Sequence, residues 1–118
     1  FEYAAVMISK SSPVGIDIEQ IREKVDRIAD KFMRPEEMAF ISESDKIGQL
    51  YACWCAKEAV YKCFGQKEVS FAHHISLEPF NFARAGQVNA HLNKGVVSLD
   101  YRVDYLQYED YMIGYVKG

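Results

Sequence analysis

No stretch of this 118-residue chain comes near the ~20 consecutive apolar residues that a membrane-spanning helix needs, so no membrane partner is expected. No signal peptide is visible either. Cysteine is scarce and odd in number: Cys53, Cys55 and Cys63 lack the regular framework of a secreted disulfide scaffold. Reduced thiols and a cytoplasmic location are the expectation. Cys53 and Cys55 with His73 and His74 would be the raw material of a zinc site. On a helix, however, two positions two residues apart point about 200° apart, and no shared zinc ion is expected. Basic charge is not in excess: the net charge is −3, which sets nucleic acid aside as a partner. Internal repeats and low-complexity segments are absent. The chain opens at Phe1 rather than Met, in mid-pattern, and the expectation is of a further segment upstream.

What is present is ordinary globular material, 49% hydrophobic and 26% charged, in a chain the size of one domain. The apolar run Tyr3–Ile8, the turn residues Ser9–Pro13 and the run Val14–Glu19 predict a hairpin of two strands. From Ile18 the period changes. Ile18, Ile21, Val25, Ile28 and Phe32 follow helical spacing, and Arg22, Lys24, Arg27 and Lys31 read as its solvated face. Pro35 opens a short helix, Glu36 to Ile41. Ser44 is placed to cap a long helix, Asp45 to Phe64, closed by Gly65. Strands are predicted at Ile75–Phe80, Gln87–Leu92, Val96–Tyr105 and Tyr111–Val116, with one face of Val97–Tyr105 buried. The fold class is α+β, helices packed on a largely antiparallel sheet.

Two segments carry chemistry. In Val14-Gly15-Ile16-Asp17-Ile18-Glu19, strand alternation puts Ile16 and Ile18 on the core face and Asp17 and Glu19 side by side on the other. Adjacent carboxylates repel unless a cation or a proton sits between them; the plain alternative is a polar strand edge facing water. In Trp54-Cys55-Ala56-Lys57-Glu58-Ala59-Val60-Tyr61-Lys62, Glu58 and Lys62 lie one helical turn apart, in a row with Tyr51 and Cys55. The plain alternative there is a surface ion pair. If the strand and the helix meet, Asp17, Glu19 and Glu58 make a three-carboxylate cluster of hard oxygen ligands. Magnesium is the ion that suits it, with Lys57 and Lys62 near enough to meet phosphates. Together these groups describe a pyrophosphate site.

The pair of segments, about forty residues apart, resembles the double signature of the 4'-phosphopantetheinyl transferase superfamily. The likeness runs over nearly the whole chain. It is closest to the C-terminal half of the larger surfactin-synthetase-activator type, a pseudo-dimer of two similar halves. Residues 1–118 then form one domain lacking its N-terminal half, because the His-Ser pair that precedes this half in the larger type is not present. The resemblance implies transfer of phosphopantetheine from coenzyme A to a serine of an acyl or peptidyl carrier protein. By position it gives Asp17, Glu19 and Glu58 to magnesium, and Glu58 also to general base. Lys57 and Lys62 go to the cofactor phosphates and the leaving group, with Lys57 counted as catalytic, while Trp54 is a core anchor. The runner-up within the family is the small trimeric synthase type, whose Gly-Ile-Asp motif comes almost at the start; here sixteen residues precede Asp17. A non-catalytic remnant that binds metal or a carrier protein is the alternative outside enzymology. Fifteen Tyr and Phe residues are more than one small core needs, so self-association is also expected.

Overall fold

A computed structural model describes residues 14–66 and 68–117. The expected strand Tyr3–Ile8 and its turn lie outside these residues. Strand β1 (Val14–Gln20) is followed by a one-turn helix α1 (Val25–Ile28) with a 3-10 turn (Ala29–Lys31), and by the short α2 (Pro35–Met38). The long α3 (Lys46–Phe64), the one-turn α4 (Phe71–His74) and strands β2 (Ile75–Leu77), β3 (Ala85–Lys94), β4 (Val97–Tyr108) and β5 (Tyr111–Lys117) complete the described residues. The strands form one sheet in the order β1-β5-β4-β3-β2, every pairing antiparallel. The α+β class expected from the sequence is therefore the one observed.

Helix α3 lies across one face of the sheet and is buried almost all round, through Leu50, Cys53, Cys55, Ala56, Ala59 and Val60. Its small residues let the sheet approach. Val88, Ala90, Leu92, Val103, Met112 and Val116 meet it from the strands. Gly65 closes the helix in the left-handed region, φ 73°, its N–H bonded to the Tyr61 carbonyl at 3.1 Å. At the other end, the cap position is taken by Asp45 rather than Ser44. A 3-10 turn over Glu43–Asp45 leads in, and Ser44 Oγ turns to Ser42 and Asp45 instead of the helix.

Three expectations are corrected. The helical stripe from Ile18 to Phe32 is broken: pairing with β5 extends through Gln20, and the Ile21 N–H bonds to the Asp110 carbonyl at 2.7 Å. Only Val25, Ala29, Phe32 and Met33 keep a helical winding toward the core, in one-turn pieces. Second, β2 ends at Leu77, because Pro79 has no N–H to offer the ladder. Third, the alternating face of β4 is buried at Val103 and Tyr105 but not at Leu99, which is 40% exposed near the tip of the β3–β4 hairpin. Helix α4 was not expected. Its signal is Ser70, whose Oγ accepts the His73 N–H at 3.2 Å.

Candidate active site

Strand β1 carries the first acidic segment, and its facing is the reverse of the one expected. Gly15 and Asp17 are buried and face α3, whereas Ile16 and Ile18 stand half-buried on the opposite side of the sheet. Gly15 is the cause. A Cβ there would lie 2.0 Å from the Ala59 carbonyl oxygen, so the helix can rest on β1 only where no side chain intervenes. The alternation was legible, but hydropathy assigned its faces wrongly, since the face that packs is made of a glycine and two acids.

This close seat brings the two segments together. Lys62 donates to Asp17 Oδ1 at 2.8 Å and to the Ile16 carbonyl at 3.1 Å. The other oxygen of Asp17, Oδ2, is buried and has no hydrogen-bond donor. Glu19 and Glu58 complete the group. Burial, then the charge and close approach of the Asp17 carboxylate, then Glu58, push the Glu19 carboxyl up to about 7 against the opposing pull of Lys62. Glu58 is likewise raised, first by burial and then by Asp17, with Lys62 again opposing. Burial works against the charge on Lys62, but its bond to Asp17 and the three carboxylates outweigh it and its pKa is raised. The row Tyr51, Cys55, Glu58, Lys62 expected from helical spacing lies over β1 and β5, with Lys62 on Asp17 and Cys55 on Met112. Cys55 is held inert: burial first, then Asp17 and Glu19, raise its thiol pKa well above the usual range.

Three carboxylates thus share one ammonium, an imbalance that a proton or a cation must meet. Among the described residues, no three acidic, His or Cys side chains already stand around a common ion position. The donor set nevertheless fits a hard cation. It is all oxygen, it holds a buried acceptor without a donor, and it carries excess negative charge.

Lys57 is not brought to this group. It is fully buried on another side of α3, and its three N–H donors are spent on Glu37 Oε1 at 2.8 Å, the Phe32 carbonyl at 2.7 Å and the Phe71 carbonyl at 3.1 Å. Burial lowers its pKa, with the bond to Glu37 opposing. An ammonium so placed has all three donors engaged within the protein, away from the group where the phosphate-binding and catalytic roles were expected of it. Its partner Glu37 had passed unnoticed in the sequence. That carboxylate also accepts from the Arg34 N–H at 2.8 Å and the Leu77 N–H at 2.7 Å, tying α2, α3 and β2 together. The signal for it was Pro35 with Glu37 two residues on, the opening of a capped first turn.

A cleft of about 400 Å³ opens beside the acidic group, lined by Glu19, Gln20, Arg22, Lys24, Tyr51 and Trp54. Arg22 and Lys24, read from the sequence as part of a solvated face, are exposed and also border this cleft. Trp54 packs on Phe32 with ring centroids 4.9 Å apart and stacks on Tyr51 at 6.4 Å, which suits the anchor role expected of it.

The described domain is thus an antiparallel sheet seated on a helix, with strand and helix carboxylates beside a lysine. The chain belongs to the 4'-phosphopantetheinyl transferase superfamily, whose model matches residues 13–116. It is similar in fold to the crystal structure of Thermotoga maritima holo-[acyl-carrier-protein] synthase, with a TM-score of 0.58 and 15% identity over 90% of this chain. The match spans 62% of that synthase's own length. No curated protein matches.

Proposed function

We propose that the chain contributes the metal-binding and catalytic side of a magnesium-dependent transfer of 4'-phosphopantetheine from coenzyme A to a carrier-protein serine. The observation that carries this reading is the meeting of Asp17, Glu19 and Glu58 with Lys62, in a family defined by that transfer. Asp17, Glu19 and Glu58 would hold the magnesium. When bound, the ion would neutralise the pyrophosphate of coenzyme A. Glu58, half-buried and raised in pKa, takes the proton of the serine hydroxyl, directly or through a water. The serine oxygen bonds to the phosphorus that carries pantetheine. The phosphoanhydride bond breaks, and the adenosine bisphosphate leaves with the electron pair. Lys62 stands beside the acids to stabilise charge on the departing phosphate. Arg22 and Lys24, at the mouth of the neighbouring cleft, take the phosphate-contact role that buried Lys57 cannot.

Self-association belongs to the same reading. Leu106 and Tyr115 are 42% and 36% exposed on the sheet face turned away from α3, where a second copy would cover them. The decisive experiment incubates the chain with coenzyme A, magnesium and an apo-carrier protein and weighs the carrier by mass spectrometry. A phosphopantetheine mass gain that disappears without magnesium supports the proposal. Retained metal binding with no gain over controls supports the remnant reading instead.

A further inference from the structure

On the sheet face that carries Asp17, one row crosses four strands. Asp17 on β1 pairs with Gly114 on β5, Gly114 with Tyr105 on β4, and Tyr105 with Gly86 on β3. Directly paired residues send their side chains to the same face, with Cβ atoms roughly 5 Å apart. Beside Asp17, therefore, β5 offers a place without a side chain, and α3 occupies it. A Cβ on Gly114 would lie 3.0 Å from the carbonyl carbon, the carbonyl oxygen and the Cβ of Cys55. Backbone conformation does not call for this glycine, because only Gly65 and Gly95 among the described glycines have positive φ. Glycine weakens a strand. Here it is kept for the room it leaves.

That room sits under the helical row that ends at the acidic group. Cys55 and Glu58 lie one turn apart on α3, and the Cys55 thiol points to the Met112 carbonyl on β5 at 3.5 Å. Cys55 thus rests on β5 one helical turn before Glu58. We infer that Gly114 is a positioning residue for the acidic centre: by admitting the Cys55 backbone, it holds the helix carboxylate within reach of the strand carboxylates. The inference rests on the metal reading proposed above and adds to it a residue outside both motifs.

Manganese binding to the protein without coenzyme A, followed by electron paramagnetic resonance, tests it without turnover. Gly114→Ala forces a displacement of a few tenths of an ångström and is expected to weaken manganese binding by about tenfold, as loss of a supporting contact does. Gly86→Ala is the control. It places a methyl group in the same row, 2.9 Å from the Tyr105 hydroxyl, and should lower the melting temperature while leaving manganese affinity at the parent value. Should Gly114→Ala fail to fold, a double variant with Cys55→Gly removes one of the three atoms the new methyl meets and carries the same expectation in milder form. A folded Gly114→Ala protein with parental affinity, or an equal loss in Gly86→Ala, overturns the inference. If the parent itself does not retain manganese, the metal reading has failed first and takes this inference with it.

Discussion

Lys57 and Glu37 leave no room for a third party: every donor of the ammonium is matched, and both oxygens of the carboxylate are engaged. Removing one partner strands the other charge in the interior. Lys57→Ala is therefore expected to lower stability by about 3–5 kcal/mol, read from the urea midpoint. Lys62 differs in being reachable: its side chain is 47% exposed, although its partner Asp17 is 5% exposed. Lys62→Ala should lower the urea midpoint less than Lys57→Ala does, because Asp17 alone loses its partner, and should weaken coenzyme A binding, by calorimetry, far more than Arg27→Ala on the exposed α1 face. Equal losses would show that the phosphates lie elsewhere. Asp17→Ala and Glu58→Ala should each weaken magnesium binding, and parental affinity in both would end the cluster idea. The two segments could be read as a pair because their residue types are rare in that combination. That Lys57 is buried while Lys62 reaches the acidic group could not be read, because burial of Lys57 depends on Glu37, Phe32 and Phe71, partners 14 to 25 positions away.

Strand β1 and helix α3 meet without an intervening layer of side chains. Gly15→Ala should therefore cost about 3 kcal/mol or more, since its methyl would strike a backbone oxygen that cannot rotate aside. Thermal melting checks it. At the far side of the sheet, His91 on β3 has both ring nitrogens on carboxylates, Nε2 to Glu78 Oε2 and Nδ1 to Asp100 Oδ1, each at 2.6 Å. Two acceptors call for a doubly protonated ring. The bonds to Asp100 and Glu78 raise the His91 pKa above its ordinary 6.5, with burial opposing. A folded-state pKa above the unfolded one gives stability that is fully present below about 6.5 and is lost as pH rises through the folded value. His91→Gln should thus melt earlier than the parent near pH 5.5 and together with it near pH 9; an unchanging gap would place the stabilisation elsewhere. Legibility at this scale followed length. The α3 helix, its Gly65 stop and the long strands were evident from period and punctuation. The stretch from Ile18 to Phe32 was not, because its apolar spacing serves a strand end, a loop and two single turns in succession.

For the whole molecule, the expected self-association is a matter of which surfaces remain open. One side of the sheet is filled by α3, while the other presents Leu106 on β4 and Tyr115 on β5 to solvent. Multi-angle light scattering should report a mass above the 13.5 kDa of one chain, falling back to it for a Leu106→Glu, Tyr115→Glu double variant. A monomeric parent would remove the idea of a second copy on this face. The tether at Lys57 bears on the machinery in another way. Lys57 and Glu58 are consecutive on one rigid rod, and consecutive helical side chains diverge by about 100°. Whatever fixes the bearing of the first fixes the bearing of the second, so the buried pair acts as a rotational lock on α3 and the acidic centre is set like a clock hand, a little over a quarter turn round the axle from it. Heat that slips the lock will turn Glu58 out of register while the rod itself is still intact, and catalytic competence will fade at a lower temperature than the helical circular dichroism signal.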